Sequence, residues 1–352
     1  MSDEDNRPHR SRPAARAAVI VSVLALGLGL AACGDDDNGD GAEGGALTVY
    51  SGREEELVGP LFDRYEQETG TEVAVRYGDS AELAATIVEE GENSPADVFF
   101  SQDAGSLGAV EAEGLLDELP EETVSPVDER FRSAGGAWVG TSGRARVVAY
   151  NRDGVSVDEL PDSILGFTDP EWQGRIGWAP TNGSFQASVT AMRLTEGEEA
   201  TREWLEGVVA NDPEAFSDNE AIRDAVAAGE IDVGFINHYY VAQAREEEGE
   251  GYPVEVYFPP GGDVGSMVNV AGAGVLAGAE NGDGGVAFVD FLLSEESQEF
   301  FSDETKEYPL IEGVDADPLV VPLAEIDQPD VDLSNLDDLK GTLTLLEDSG
   351  AL

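Results

Sequence analysis

Short apolar segments alternate along the chain with segments in which apolar residues recur every three to four positions. The first kind is typical of buried strands and the second of amphipathic helices. The pattern predicts strands at 47–50, 73–77, 96–100, 146–150, 176–179, 233–236, 254–258 and 268–276. It predicts helices at 54–69, 79–89, 104–112, 184–194, 199–209, 219–227 and 284–301. Strand-helix alternation of this kind indicates an α/β fold with largely parallel sheets.

Two adjacent tyrosines, Tyr239 and Tyr240, follow the predicted strand 233–236 after Asn237 and His238, and they open a helix-like stretch. The two phenols therefore lie near the positive end of a helix dipole. Two phenolate oxygens at such a place suit a hard, highly charged cation such as Fe(III). The alternative is a buried aromatic pair whose hydroxyls are hydrogen-bonded to neighbouring groups.

The N-terminus has the pattern of an export signal. Four arginines precede the apolar run 17–30, which is too short to span a bilayer of about 30 Å and suits a signal-peptide core. The residues 30–33, Leu-Ala-Ala-Cys, resemble a bacterial lipobox, so we predict a lipoprotein signal peptide at 1–32 and lipidation of Cys33. An ordinary secretory signal with an incidental cysteine is the alternative. The acidic, glycine-rich stretch 33–46 is predicted to be a flexible tether.

The composition is strongly acidic. There are 74 acidic residues against 19 basic ones, and the formal net charge of −55 excludes nucleic acid as a partner. Because the apolar periodicity persists, we interpret the charge as a carboxylate-coated globular surface suited to high salt, where screening relieves self-repulsion.

Several short motifs together resemble the periplasmic ferric-iron-binding proteins of bacterial ABC transporters. They are Thr48-Val-Tyr-Ser-Gly52, Ala81-Glu-Leu-Ala84, Ser94-Pro-Ala-Asp-Val-Phe99, Ser142-Gly-Arg-Ala-Arg-Val147, Trp172-Gln-Gly-Arg-Ile-Gly177, Ile236-Asn-His-Tyr-Tyr240, Phe288-Val-Asp-Phe-Leu292 and Glu307-Tyr-Pro-Leu310. The resemblance implies a two-lobed periplasmic-binding-protein fold with two crossing hinge strands, which we place near 144–150 and 268–275. The lobes would then comprise 47–145 with about 268–318, and 146–267 with about 319–352. It further implies a monomer that closes on its solute and delivers it to an ABC permease.

The resemblance also implies a ligand set for the cation. Tyr239 and Tyr240 match the paired phenolates of the family. Glu54 stands where the family often has a histidine, and Gln102 where it often has a glutamate, so Glu54 is a candidate third oxygen ligand and Gln102 a candidate contact to an anion. The alternative for Glu54 is a capping box with Ser51, because Ser-x-x-Glu is a helix start.

A third tyrosine that some family members use is replaced here by Phe185. The resemblance implies that a synergistic anion, phosphate or carbonate, completes the coordination of Fe(III). Candidate contacts to this anion are residues that offer a backbone N–H group at a helix start, a side-chain amide or a positive charge. They are Asn182, Gly183, Ser184, Asn219, Asn237 and Arg144. For Asn182, Gly183 and Asn219, ordinary capping and turn chemistry is the alternative.

His238 is the only histidine after residue 33, and we expect a structural or anion-contacting role rather than a metal ligand. An enzyme is not expected, since a single histidine after residue 33 and no usable cysteine exclude most metallohydrolase and Cys-His sites. The sequence therefore predicts an extracytoplasmic, lipid-anchored receptor that captures Fe(III). The alternative is a receptor of the same fold for another solute, namely a polyamine, thiamine or a phosphonate.

Overall fold

The computed structural model describes residues 46–352. The predicted signal peptide, the lipidation site Cys33 and almost all of the predicted tether lie outside the described residues. Within 46–352, no helix combines the length and apolar character needed to cross a membrane.

The described chain alternates strands and helices as the pattern predicts. Residues 46–352 contain nine strands, β1 (Leu47–Ser51), β2 (Val73–Tyr77), β3 (Val98–Ser101), β4 (Val139–Asn151), β5 (Ile176–Trp178), β6 (Glu214–Ala215), β7 (Val233–Asn237), β8 (Val254–Tyr257) and β9 (Val268–Val275). The same residues contain eleven α-helices, α1 (Glu55–Thr69), α2 (Ser80–Glu90), α3 (Ala104–Ala112), α4 (Glu121–Val124), α5 (Gly183–Thr195), α6 (Glu198–Ala210), α7 (Asn219–Ala228), α8 (Tyr239–Glu248), α9 (Gly282–Leu292), α10 (Glu295–Asp303) and α11 (Leu339–Ser349).

The strands form a mixed sheet rather than a largely parallel one. Its order is β2-β1-β3-β9-β4-β7-β5-β6, and β8 pairs with β4 beside this path. At the two ends of the sheet the pairing is parallel, between β1 and its neighbours β2 and β3 and between β5 and its neighbours β6 and β7. In the middle, β9 and β4 pair antiparallel with each other and with their outer neighbours. The two central strands, β4 and β9, therefore interrupt the parallel pairing of the sheet.

The long strand β4 joins the two halves of the sheet. Its first half, from Val139 to Ala145, pairs with β9, whereas its second half pairs with β7 and β8. Strands β4 and β9 are therefore the two strands that the resemblance places at the hinge. The exact extent of each lobe along the chain stays a prediction.

One predicted helix is wrong. The periodic stretch 284–301 forms two helices, α9 and α10, instead of one. Ser294 is extended between them, and its hydroxyl accepts a hydrogen bond from the backbone N–H of Ser297 while donating to the carbonyl of Phe291. A serine that satisfies backbone groups in this way ends one helix and caps the next. The apolar spacing continues across the break because both helices bury one face.

A separate apolar cluster fixes the start of α8. Val241 and Ala244 of this helix pack against Ile236 of β7, Val147 of β4 and Ile222 of α7, all buried. Burying one such aliphatic side chain stabilises by about 1.5–3 kcal/mol. The cluster therefore holds the first turn of α8, which carries both tyrosines, rigidly against the sheet.

Candidate functional site

The two tyrosines are the first two residues of α8. Strand β7 ends at Asn237, His238 is the N-cap residue, and Tyr239 and Tyr240 follow. Their rings stack with centroids 4.3 Å apart at an interplanar angle of 29°. Tyr239 is buried and Tyr240 is partly exposed. The phenols thus stand side by side at the positive end of a helix.

The electrostatic surroundings of Tyr240 keep its phenol protonated in the absence of a cation. Burial raises the pKa of Tyr240, the neighbouring Tyr239 and Glu54 raise it further, and Arg144 opposes them. A nearby trivalent cation would favour the deprotonated form strongly. Binding of such a cation at this pair would therefore release protons.

Glu54 lies at the N-cap of α1 and is exposed. The proposed capping box with Ser51 is wrong, because the Glu54 side chain makes no capping hydrogen bond and the Ser51 hydroxyl instead bonds the backbone N–H and carbonyl of Arg53. The carboxylate is close enough to Tyr240 to raise the pKa of that phenol. Glu54 therefore acts electrostatically on the tyrosine pair, and its role as a third oxygen ligand stays a prediction.

A cleft of about 580 Å³ is lined by residues that follow β1, β2 and β3 and by the start of α5, and neither tyrosine of the pair is among its lining residues. Four predicted site residues line it, namely Glu54, Gln102, Asn182 and Gly183. Arg53 also lines it and interacts electrostatically with both phenols, which raise the pKa of its guanidinium.

Two predicted anion contacts, Asn219 and Asn237, are held by an arginine that sequence reasoning missed, and a third, Ser184, is bonded to Asn237. Arg146 donates through Nη1 to Oδ1 of Asn219 at 3.2 Å and to Oδ1 of Asn237 at 3.0 Å, and through Nη2 to the carbonyl of Phe235 at 2.7 Å. Asn237 in turn donates to the Ser184 hydroxyl at 3.2 Å. These side chains are buried, and burial lowers the pKa of Arg146 to about 10 despite the opposing effect of the tyrosines. The amide oxygens of both asparagines are therefore engaged within the protein.

The helix starts at α5 and α7 use different caps. Asn182 caps α5, as the alternative interpretation predicts, since its Oδ1 accepts from the N–H groups of Ser184 and Phe185. At α7 the cap is Asp218 rather than Asn219. Gly183 has open space where a side chain would begin.

A buried charge cluster joins Arg53, Arg144 and Glu307. Nη2 of Arg53 donates to both carboxylate oxygens of Glu307 at 2.8 and 2.9 Å, and the Ser142 hydroxyl donates to one of them at 2.6 Å. Nε of Arg144 lies 4.0 Å from the same carboxylate. Burial alone would raise the pKa of Glu307, but the two arginines and the hydroxyl outweigh it and lower that pKa.

Sequence reasoning included Arg144 but missed Arg53, Arg146 and Glu307 as parts of the site. A signal existed for one of them, because Arg144 and Arg146 are two residues apart in a predicted strand and so share a face. For the pair of Arg53 and Glu307, 254 residues apart, no local pattern indicates contact.

His238 is a core residue. Its Nδ1 accepts a hydrogen bond from the N–H of Ala145 at 3.2 Å, and its ring stacks on Tyr308 with centroids 4.3 Å apart. Burial lowers the pKa of His238 to about 4, so the ring is neutral at physiological pH. Its ring is thus fixed by hinge strand β4 and by Tyr308.

Residues 46–352 offer few further groups that could coordinate a metal ion together. Phe185 is buried between Trp178 and Trp204, so its position faces the core and offers no phenol. No group of three or more His, Cys, Asp or Glu residues that could hold a metal ion occurs in 46–352.

Comparisons with known proteins agree with this architecture. Residues 51–299 match the family model of bacterial extracellular solute-binding proteins. The Fe(3+)-binding periplasmic protein of Serratia marcescens is 32% identical over 95% of this chain and 97% of its own. The major ferric iron-binding protein of Neisseria meningitidis is 34% identical over 86% of this chain and 92% of its own.

Solved structures share the fold over most of the described chain. Iron-bound HitA from Pseudomonas aeruginosa superposes with a TM-score of 0.82 at 34% identity, covering 87% of this chain and 99% of its own. A Trichodesmium protein in complex with iron and citrate superposes with a TM-score of 0.76 at 30% identity, with the same coverage. The predicted two-lobed α/β fold with two crossing strands is thereby confirmed. The chain belongs to the bacterial extracellular solute-binding proteins and, within them, to the family of ferric-iron-binding periplasmic proteins.

Proposed function

We propose that this protein captures Fe(III) outside the cytoplasm, together with an oxyanion, and delivers it to an ABC permease. The observation that carries the proposal is the stacked pair Tyr239 and Tyr240 at the start of α8, with the carboxylate of Glu54 within electrostatic reach. Phenolate and carboxylate oxygens are hard ligands, which suit a hard trivalent ion. Relatives named for ferric iron binding cover most of the chain and support the same reading.

The balance of positive and negative groups at the site supports the binding of an oxyanion. Two phenolates and the carboxylate of Glu54 carry three negative charges, which would neutralise a trivalent cation. The site also holds three buried guanidinium groups, Arg53, Arg144 and Arg146, against the buried carboxylate of Glu307 and the partly buried carboxyl group of Asp103, which interacts electrostatically with Arg144. Uncompensated buried charge is costly, so a bound anion such as carbonate or phosphate would complete the site. Gln102, which lines the cleft, is a further candidate contact to it.

The same arginines argue against two of the alternative solutes. Polyamines and thiamine are cations, and three buried guanidinium groups would repel them. A phosphonate is compatible with the positive charge but makes no use of the tyrosine pair. Fe(III) with an anion uses both features.

The remaining parts of the proposal rest on the family and the N-terminal sequence. We expect a monomer that is anchored to the membrane through a lipid at Cys33. Its lobes would comprise 47–145 with about 268–318, and 146–267 with about 319–352. Closure of these lobes around the cation would be the state that the permease recognises.

The test is a visible spectrum of metal-stripped protein titrated with Fe(III)-citrate. Fe(III)-phenolate bonds give a charge-transfer band that carboxylate ligands lack. We expect a coloured one-to-one complex that is lost in Tyr239→Phe and Tyr240→Phe. Tyr65→Phe is the matched control, because Tyr65 is also buried but lies in the core against Phe288 and Phe291.

A colourless protein with every anion would overturn the assignment of Fe(III), and binding of a phosphonate in its place would identify the rival solute. In Glu54→Gln we expect the band to persist with weaker iron affinity, because a phenolate band does not depend on a carboxylate. An unchanged affinity in that variant would remove Glu54 from the ligand set.

A further inference from the structure

The helix that carries the tyrosine pair is held from two sides. Val241 and Ala244 pack into the apolar cluster against β7 and β4. Gln243 and Glu246 instead contact the segment of chain that follows α10, residues 305–308. Since an α-helix turns by about 100° per residue, these two pairs of residues lie on roughly opposite sides of α8. We call residues 305–308 the clamp segment, because together with the sheet it fixes α8 from both sides.

The clamp segment belongs to the other half of the sheet. Tyr308 donates its backbone N–H to the carbonyl of Gly143 at 2.9 Å and accepts from the N–H of Gly143 at 2.8 Å. Gly143 lies in the part of β4 that pairs with β9, whereas α8 follows β7, which pairs with the second half of β4. Contacts between α8 and the clamp segment therefore span the two halves of the sheet.

Lys306 makes the charged part of this connection. Its side chain is 2% exposed, and its ammonium group donates to Glu246 of α8 at 2.8 Å, to Asp317 at 2.8 Å and to the carbonyl of Asp303 at 2.5 Å. An ammonium group has three N–H donors, so every donor is used. Burial would lower the pKa of Lys306, but the two carboxylates outweigh burial and raise that pKa. Lys306 is thus a buried cation that joins α8 to the chain after the clamp segment.

The backbone of Lys306 has an uncommon conformation. Its φ is +59°, and Lys306 is one of two non-glycine residues with a positive φ in 46–352. The side chain of an L-residue crowds the backbone in this left-handed region. Such a conformation persists only where the surroundings determine it. A lysine at a position that favours glycine or asparagine therefore indicates that the contacts of its ammonium group outweigh the strain.

The clamp segment also contacts the first turn of α8 and the cleft. The ring of Tyr308 stacks on His238, the residue directly before the tyrosine pair. Glu307, the residue before Tyr308, holds the guanidinium of Arg53, which lines the cleft. One short segment therefore touches both the helix of the phenols and the residues of the opposite half of the sheet.

We infer that Lys306 is a positioning residue for the proposed iron site. Through Glu246 it fixes α8 and its two tyrosines relative to the half of the sheet that carries Glu54. The inference rests on the proposed function and deepens it. The apolar cluster contacts α8 only from β7, the second half of β4 and their neighbours, so it does not set the separation between the phenols and Glu54. The ion pair spans both halves, and its loss would let the phenols shift while the helix stays folded.

The two carboxylates bonded to Lys306 provide matched variants. Glu246→Gln breaks the ion pair to α8 and leaves Asp317 in place, whereas Asp317→Asn leaves α8 attached. Each variant removes one negative charge from the same ammonium group. We expect Glu246→Gln to weaken ferric affinity at least about fivefold, the lower end of the usual range for coupling between sites, and Asp317→Asn to weaken it less than about twofold.

Ferric affinity is measured by competition with citrate, with the ferric charge-transfer band as the readout. Glu247→Gln is the control for net charge, because Glu247 is the next residue of α8 and is exposed, and we expect wild-type affinity in this variant. Lys306→Gly removes the ammonium group and relieves the left-handed backbone, so it should fold and should weaken ferric affinity. Its effect should not add to that of Glu246→Gln, because both variants remove the same interaction.

A second readout needs no iron. Hydrogen exchange of the metal-free protein reports local opening of α8. We expect faster exchange along Tyr239–Glu248 in Glu246→Gln than in Asp317→Asn or Glu247→Gln. A role of Lys306 confined to the fold of residues 303–317 would not produce this difference.

Two results would overturn the inference while leaving the proposed function intact. One is equal ferric affinity, or equal exchange of α8, in Glu246→Gln and Glu247→Gln. The other is an effect in Asp317→Asn as large as that in Glu246→Gln, which would give Lys306 a structural role only. Absence of the coloured complex in the wild-type protein bears on the proposed function, and hydrogen exchange then decides by itself whether Lys306 fixes α8.

Discussion

Replacing Glu307 with glutamine tests whether the buried charge cluster is held together by this one carboxylate. Glu307 is fully buried and accepts hydrogen bonds from Arg53 at 2.8 and 2.9 Å and from Ser142 at 2.6 Å. Glutamine keeps the volume and one acceptor oxygen but removes the charge. Removing one partner of a buried ion pair costs about 3–5 kcal/mol. Because Arg144 depends on the same carboxylate, we expect a loss of free energy of unfolding in the upper part of this range.

The assay is urea unfolding of the metal-free protein at pH 7, with Glu296→Gln as the control. Glu296 also pairs with an arginine, Arg64, at 3.3 Å, but it is 64% exposed. Exposed pairs contribute about 0–1 kcal/mol. We therefore expect the two glutamine variants to differ by more than about 2 kcal/mol.

The pH dependence provides a second check on the same variant. The arginines lower the pKa of Glu307 in the folded state below its unfolded value of about 4.3. Its contribution is therefore present above the unfolded pKa and is lost as the pH falls through the folded pKa. The deficit of Glu307→Gln should be full at pH 7 and should shrink below about pH 4. A deficit no larger than that of Glu296→Gln, or one that is unchanged down to pH 3, would refute the reasoning.

Three further predictions concern the surroundings of the site and the surface. Phe185→Tyr places a hydroxyl in the core beside Trp178, so we expect the free energy of unfolding in urea to fall by about 1–3 kcal/mol. We expect no change in the ferric charge-transfer band. An intensified band would show that position 185 reaches the cation. Because burial lowers the pKa of His238 to about 4, below about 6.5 in the unfolded chain, stability should fall as the pH drops from about 6.5 to about 4. His238→Asn keeps an acceptor for the N–H of Ala145 and should flatten that part of the pH profile, whereas an unchanged profile would assign it to other groups. With a net charge of −55, the melting temperature should rise from low to molar NaCl as the Debye length falls from about 10 Å at 0.1 M to about 3 Å at 1 M, and a constant melting temperature would refute the high-salt interpretation.

The sequence by itself determined the elements and the position of the tyrosine pair. Apolar spacing within a short segment decides whether it buries one face as a helix or both faces as a strand, and this information is local. The junction at β7 and α8 could therefore be predicted, and with it the placement of Tyr239 and Tyr240 at a helix start. The break at Ser294 was missed because apolar spacing continues through it, whereas the hydroxyl that ends the helix contributes nothing to that spacing.

Only the tertiary structure decided what surrounds the tyrosines. Arg53 and Glu307 are 254 residues apart, and Arg146 reaches Asn219 and Asn237 across 73 and 91 residues. Contacts of this range depend on which strands pair and in which register, and no spacing along the chain records that. The sequence supplied the phenols that can hold a hard cation, and the pairing of β4 with β9 and β7 supplied the buried positive charge beside them, because a partner for a buried charge exists only once the chain has folded around it.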